Sequence, residues 1–269
     1  MAYLLLADGT IFEGEGFGAR GERVGELVFT TGMTGAAESL TDPSYAGQMI
    51  CFTFPQLGNY GIAPDDCESA RVHCSAVVVR EYCDAPSNFR CEMTVGELLE
   101  KNGVVGISGI DTRAVTQKIR EHGVMNAAVT EEPPTEELLA RVRAYAVTGV
   151  VDGVSVAEPV QLPCPGAKHS VALMDYGYKK SIADCLIKRG CAVTVYPHDT
   201  SAEAVLAAGH DGVMLSNGPG DPAENICEIA QIRAMMGRIP IFGICLGHQM
   251  MALAQGAKTA KMKLSLIHI

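Results

Sequence analysis

Short hydrophobic runs separated by turns fill the first half of the chain. YLLLADGTIFEG places two apolar runs around an Asp-Gly turn at residues 8 and 9, and GELVFTT, QMICFTF and SAVVVRE follow. We therefore predict hairpins and meanders around a small mixed core over residues 1–130. Three helices are also predicted: 94–101, a second from the N-cap Asp111 to the stop Gly123, and a polar helix near 135–145.

From residue 171 onward, apolar runs alternate with amphipathic segments. The predicted strands are 171–176, 192–197, 212–216 and 239–244, and the predicted helices include KKSIADCLIKRG, 223–237 and 246–256. Thr200 and Glu203 have capping-box spacing before the helix AVLAAG. This alternation predicts parallel strands with right-handed crossovers, an open doubly wound α/β sheet.

The halves are separated by a segment that shows no periodicity. AEPVQLPCPGAKH, residues 157–169, carries three prolines and one glycine, as linkers often do. We predict domains over 1–150 and from 170 onward, with a linker over 151–169. Ligands of a doubly wound sheet bind at the carboxyl ends of its strands, where the loop 217–222 and residue 245 fall.

Composition narrows the function classes. The 269 residues are 48% hydrophobic and 19% charged, with a net charge of −10, which argues against nonspecific nucleic-acid binding. No apolar run approaches a membrane span of about 20 residues, and the N-terminus lacks a basic leader, so we expect a cytoplasmic protein without a membrane segment. Ten cysteines include no CxxC pair, so we expect no metal site, and most should be buried apolar residues.

The motif GICLG has the form of a nucleophile elbow with cysteine as the nucleophile. Flanking Gly243 and Gly247 permit a sharp strand-to-helix turn, and the helix N-terminus stabilises a Cys245 thiolate. The N–H of Leu246 then points toward an oxyanion, and the loop NGPGDP (217–222) can supply a second donor. Each motif alone also fits an ordinary turn. Their placement at adjacent strand ends favours a site.

Several stretches resemble known families. LSNGPGDP, PIFGICLGHQ and ALAQGAKTAKMK resemble class I glutamine amidotransferase domains. ADGTIFEGEGFGA, GELVFTTGMTGAAESLTDPSYAGQMICFTFPQLGNYG, GISGIDTRAVTQKIREHG and DYGYKKSIADCLIKRGC resemble the small subunits of carbamoyl-phosphate synthase. The similarity spans residues 1 to about 263. It implies a β-rich α+β domain followed by the N-terminal part of an amidotransferase domain over 170–263, and residues 264–269 are predicted to be a non-native tail.

The resemblance implies glutamine hydrolysis at Cys245 through a γ-glutamyl thioester, with release of ammonia. It assigns the oxyanion N–H groups to Gly220 and Leu246, and it places Gly218 in the glutamine site. Gln249 would contact the amino-acid end of the substrate, although it fits a solvated or capping side chain as well. Ser44 would reach the glutamine from the N-terminal domain, although Asp-Pro-Ser is also good turn chemistry.

The histidine of the triad is not assigned within this sequence. His248, three residues after Cys245 on the same helix, points along the helix and is interpreted as structural. His268 has no nearby carboxylate in sequence to orient it. In the family, the catalytic histidine and its glutamate lie further downstream.

The implied partner is a separate large synthetase subunit, which uses ATP, Mg²⁺ and bicarbonate. The chain itself would bind glutamine and no cofactor, in a heterodimer that makes carbamoyl phosphate for arginine and pyrimidine biosynthesis. Two alternatives remain open: another Cys-elbow amidase or triad amidotransferase, and a noncatalytic fragment that binds the synthetase.

We expect the chain as written to release glutamate from glutamine no faster than a Cys245→Ala variant. Without a positioned acid to protonate the leaving amide nitrogen, the tetrahedral intermediate should expel the thiolate instead. Loss of one member of such a triad costs about three to six orders of magnitude. A glutaminase assay on both proteins checks this, and Cys245-dependent turnover would reveal a base within residues 1–269.

Overall fold

The computed structural model describes residues 1–261, which form two compact units: Met1–Val147 together with Lys261, and Thr148–Ala260. The boundary lies close to the predicted end of the first domain at residue 150. Each unit has its own hydrophobic core.

The first unit is built on a closed seven-stranded barrel, in the strand order β1-β2-β8-β6-β4-β3-β9. A separate two-stranded ribbon joins β5 to β7. The strands are β1 Ala2–Leu6, β2 Ile11–Gly18, β3 Arg23–Thr30, β4 Gln48–Phe52, β5 Gln56–Leu57, β6 Ala76–Val78, β7 Glu81–Tyr82, β8 Val105–Ser108 and β9 Met125–Thr130.

The pairing in this barrel is only partly that of hairpins. The predicted Asp-Gly hairpin is confirmed, since β1 pairs antiparallel with β2 and Leu5 lies opposite Ile11. The prediction of hairpins and meanders is wrong for the other half of the barrel, where β3, β4, β6 and β8 pair in parallel. The connections between these strands are long, and such crossovers leave no short turn signal in the sequence.

Four helices pack on the barrel: α1 Ala36–Leu40, α2 Val95–Lys101, α3 Thr112–His122 and α4 Glu136–Ala144. The three predicted helices are confirmed, and Asp111 is the N-cap of α3 as predicted. The side chain of Asp111 accepts from the N–H of Ala114, and Thr94 with Glu97 forms a capping box. Alternate strand residues face two cores: one core includes Ile50 and packs on α2, and the other includes Met49 and packs on α3.

The second unit contains a five-stranded sheet in the order β10-β12-β11-β13-β14. Its strands are β10 Val160–Leu162, β11 His169–Asp175, β12 Cys191–Pro197, β13 Gly212–Leu215 and β14 Ile241–Gly243. The last four are mutually parallel, which confirms the predicted doubly wound sheet. β10 pairs antiparallel with β12, so the segment predicted as a linker over 151–169 contributes an edge strand.

Helices cover both faces of this sheet: α5 Lys180–Lys188, α6 Ala202–Ala207, α7 Ile226–Met235 and α8 Leu246–Ala254. α5 packs on one face, and α6, α7 and α8 pack on the other. The capping box predicted at Thr200 is wrong, because Ser201 is the N-cap of α6 and accepts from the N–H of Ala204. Within residues 1–261, no helix has the length and hydrophobicity to cross a membrane.

A polar network holds the chain just before Ser44 in the first unit. Ser69 Oγ lies 2.9 Å from His73 Nε2 and donates to the carbonyl of Thr41 at 2.6 Å. The backbone N–H of His73 donates to Leu40 at 3.2 Å. Burial, together with the nearby Arg71 guanidinium, lowers the pKa of His73 to about 4. The folded protein therefore holds this imidazole neutral.

We predict that His73 contributes to acid sensitivity. Between about pH 6.5 and pH 4, the unfolded chain binds a proton at residue 73 that the folded chain does not, so stability falls as the pH falls. His73→Gln should reduce the difference between the urea midpoints at pH 7 and pH 4.5. His122→Gln, at an exposed histidine of the same unit, is the matched control. An unchanged midpoint difference in His73→Gln would contradict the assignment.

Candidate active site

Cys245 occupies a strained turn between β14 and α8. Its backbone has φ 51° and ψ −110°, and it is the only non-glycine residue with positive φ in the described part of the chain. Such conformations cost about 1–3 kcal/mol and persist only when the surroundings enforce them. Cys245 is the N-cap of α8 and is exposed. The turn therefore presents the sulfur at the positive end of a helix dipole.

The glycines flanking Cys245 are required by close packing. A Cβ on Gly247 would lie 2.6 Å from both the Cβ and the carbonyl oxygen of Leu215 in β13. A Cβ on Gly243 would lie 2.7 Å from the backbone of Gly247 and from the N of His248. These distances exclude any side chain. The first turn of α8 thus lies directly against β13, and the G-x-C-x-G spacing follows from that contact.

Buried polar side chains tie together the strand ends around this turn. Ser216 Oγ accepts from the N–H of Tyr176 at 2.9 Å, and the Ser216 carbonyl accepts from the N–H of Gly247 at 3.0 Å. Asn217 Nδ2 donates to Gly177 at 2.8 Å, and Asn217 Oδ1 accepts from the N–H of Lys179 at 3.1 Å. The sequence analysis did not single out Ser216 and Asn217. Their position, as two polar residues directly after the strand β13, is the signal that could have identified them.

The loop after β13 brings one of the two predicted glycines, Gly218, to the elbow. A Cβ on Gly218 would lie 2.1 Å from the carbonyl oxygen of Tyr176 and 2.7 Å from Leu246 Cδ2, so Gly218 contacts the elbow directly. Gly220 has φ +84°. Among the described residues, the N–H groups of Gly220 and Leu246 have no hydrogen-bond partner. An unused backbone donor next to a nucleophile, as at Leu246, is one requirement of an oxyanion hole. The role of Gly220 as the second donor stays a prediction.

Gln249 lies in the first turn of α8. Its Oε1 is buried and, within the described residues, has no hydrogen-bond partner. Leaving such an acceptor unsatisfied costs about 1–3 kcal/mol, and native proteins rarely do so without a functional reason. Among the side chains that the structure describes, it is the single buried nitrogen or oxygen without a partner.

Asp175 stabilises the loop that follows β11. Its carboxylate accepts from the N–H groups of Gly177, Tyr178 and Val156, each at 2.8 Å. Burial raises the pKa of Asp175, and these hydrogen bonds oppose the shift. Sequence reasoning missed this residue too, because its role depends on contacts that form only in the folded unit.

The structure gives the local surroundings of two further predicted residues, Ser44 and His248. Ser44 is in the first unit, in a 3₁₀ turn over Pro43–Tyr45, where its N–H donates to Asp42 Oδ1 at 2.9 Å. Its contact with glutamine stays a prediction. His248 is exposed on α8, and its structural role also stays a prediction. His268 and the tail 264–269 lie outside the described residues. Within residues 1–261, no three His, Cys, Asp or Glu side chains form a metal-binding group.

Comparison with known families assigns the second half of the chain to a class. Residues 172–268 match the family "Glutamine amidotransferase class-I", so the sheet, the elbow and the adjoining loop form part of a class I amidotransferase domain. This match enters the segment predicted as a non-native tail. Residues 4–129 match "Carbamoyl-phosphate synthase small chain, CPSase domain".

The chain belongs to the carbamoyl phosphate synthase small chain family. It is 46% identical over 261 residues to the carbamoyl phosphate synthase small chain of Bacillus anthracis, covering 97% of this chain and 71% of that protein. The protein of the same name from Lactococcus lactis subsp. lactis (strain IL1403) is 48% identical over 262 residues, covering 97% and 73%. That of Streptococcus agalactiae serotype III (strain NEM316) is 48% identical over 261 residues, covering 96% and 72%.

Among solved structures, an aminopeptidase from Aneurinibacillus sp. strain AM-1 can be aligned with this chain. The alignment covers 95% of this chain and 69% of the aminopeptidase chain. The TM-score is 0.31 and the sequence identity is 10%. This likeness is too low to inform the fold.

We predict that Gly247→Ala destabilises the protein by about 1–3 kcal/mol, because the added methyl group overpacks α8 against Leu215. Displacement of α8 should also relax the backbone of Cys245 and slow its alkylation. The control is Gly212→Ala in β13, where a Cβ would meet only the Pro240 carbonyl at an ordinary 3.5 Å. Thermal unfolding and iodoacetamide labelling measure both effects. A fully stable Gly247→Ala protein would contradict the packing argument.

Proposed function

We propose that this chain is the glutaminase subunit of a carbamoyl-phosphate synthase, in which Cys245 cleaves the side-chain amide of glutamine. The observation that carries the proposal is the strained elbow, in which an exposed thiol lies at the N-terminus of α8 directly before the unused N–H of Leu246. Family membership supports the substrate class.

The first step forms a bond between Cys245 Sγ and the amide carbon of glutamine. The thiolate supplies the electron pair, and the carbonyl π electrons move to oxygen. The N–H groups of Leu246 and Gly220 would stabilise that oxyanion; removal of one such donor typically costs 10²–10³-fold in rate. The helix dipole favours the thiolate that attacks.

Collapse of the tetrahedral intermediate breaks the carbon–nitrogen bond. The nitrogen takes a proton and leaves as ammonia, which produces a γ-glutamyl thioester on Cys245. Water then adds to the thioester carbon, and the products are glutamate and the restored thiol. The family resemblance places the histidine that carries these protons downstream of the matched stretches, so residues 1–261 supply the nucleophile and the oxyanion donors.

Substrate specificity would come from groups that recognise the amino-acid end of glutamine. The buried Oε1 of Gln249 fits the α-ammonium group, because an acceptor without a partner is satisfied by a charged donor. Gly218 would line the same site, since no side chain fits there. Ser44 would add a contact from the first unit.

The ammonia would pass to a separate large subunit, which uses it with bicarbonate and ATP-Mg²⁺ to make carbamoyl phosphate for arginine and pyrimidine biosynthesis. The chain itself would bind no cofactor. Its first unit, which matches the small-chain CPSase domain, would supply the contact with that subunit.

We predict that Cys245→Ser, in a small subunit assembled with its large subunit, abolishes glutamine-dependent carbamoyl phosphate synthesis. Synthesis from added ammonia should continue, because the synthetase chemistry lies on the other subunit. The two activities are measured separately, as carbamoyl phosphate formed from glutamine and carbamoyl phosphate formed from added ammonia. Cys227→Ser, at another exposed cysteine of the second unit, is the matched control and should retain both activities.

Loss of both activities in Cys245→Ser would mean that the residue is structural. Retention of both would mean that the nucleophile is elsewhere. Either result would overturn the proposed function.

A further inference from the structure

A nine-residue segment, 148–156, lies against the same loop of the second unit that carries Gly220. We call this segment the strap. The position that a Cβ would take on Gly220 is only 2.9 Å from Val150 Cγ2, so the Val150 side chain fills the space over that glycine. The N–H of Gly149 donates to Glu224 Oε2 at 3.4 Å, just beyond the loop. Val151 is buried in the core that includes Leu246.

Two hydrogen bonds, each from a backbone N–H to a side-chain oxygen, fix the far end of the strap to two strand ends. The N–H of Val156 donates to the buried Asp175 at 2.8 Å, at the carboxyl end of β11. Ser155 Oγ accepts from the N–H of His198 at 3.0 Å, directly after β12. The strap is therefore anchored at the carboxyl edge of the sheet, where the elbow also lies.

The His198 side chain joins the strap to α7. Its Nδ1 donates to Glu228 Oε1 at 2.7 Å, and both side chains are largely buried, with 18% and 10% exposed. Its Nε2 faces Asp152 Oδ1 of the strap at 3.4 Å. An imidazole held by a buried carboxylate has a fixed orientation, so the ring is a rigid support for the strap.

We propose that the strap positions the peptide of Gly220, with Val150 as the contact and His198 as the support. With φ +84° and no side chain of its own, Gly220 would otherwise be free to turn its N–H away from the elbow. Val150 restricts that movement by packing on the glycine. This inference rests on the proposed function, because it assigns a purpose to the strap only if Gly220 supplies an oxyanion donor.

The test uses two thiol reagents on the purified chain. A chloromethyl ketone analogue of glutamine forms a bond from Cys245 Sγ to its methylene carbon and releases chloride, while its carbonyl oxygen requires the oxyanion donors. Iodoacetamide reports the reactivity of the thiol without a need for those donors. Peptide mass spectrometry gives the labelling rate at Cys245 for each reagent.

Val150→Ala should lower kinact/KI for the ketone about tenfold. Complete removal of one oxyanion donor costs 10²–10³-fold in rate, and a donor that is only displaced should cost less. His198→Ala should act in the same direction, and His198→Gln should restore part of the rate, because its amide can still donate to Glu228. Iodoacetamide labelling should stay within about twofold of wild type. Val160→Ala in β10, the sheet edge opposite β14, is the matched control and should change neither rate.

Suppose that the ketone labels wild type selectively at Cys245 and labels Val150→Ala and His198→Ala at the same rate. This result would overturn the role of the strap but not the proposed function. Equal losses with both reagents would also overturn the role of the strap, because they would show a general structural defect. If the wild-type ketone reaction shows no preference for Cys245, the proposed function itself fails.

Discussion

The contact between the first turn of α8 and β13 determines the rest of the site. The backbone of Gly247 lies so close to Leu215 that no Cβ fits between them, and two residues earlier the chain at Cys245 has positive φ. The strain at Cys245, about 1–3 kcal/mol, is sustained by the packing of α8 and by the hydrogen bond from Gly247 to Ser216. The thiol is exposed, whereas Leu246 and Gly247 directly after it are buried.

Polar connections extend this constraint across the carboxyl edge of the sheet. Ser216 and Asn217 fix the loop after β13 to the loop after β11, and Asp175 fixes the latter to the segment before β10. Neighbouring parallel strands place these loops side by side, which is the general location of ligand sites in doubly wound sheets. A preorganised edge of this kind holds backbone donors in place before a substrate arrives.

Local signals were sufficient for the elbow and for most helices. The Asp111 cap and the strand-to-helix turn at Cys245 depend on neighbouring residues, so the sequence predicted both. Strand β10 was interpreted as linker because its pairing with β12 joins residues more than 30 positions apart. The orphaned acceptor of Gln249 depends on tertiary burial, which no local pattern encodes. The parallel half of the barrel was missed for the same reason.

The most direct test of this account compares the exposed cysteines of the second unit with and without L-glutamine. Cys185, Cys227 and Cys245 are all exposed, so accessibility alone would let iodoacetamide label them at similar rates. The account predicts that Cys245 is labelled first and that glutamine slows its labelling alone, as measured by peptide mass spectrometry. Equal labelling of the three, or no protection of Cys245 by saturating glutamine, would contradict it.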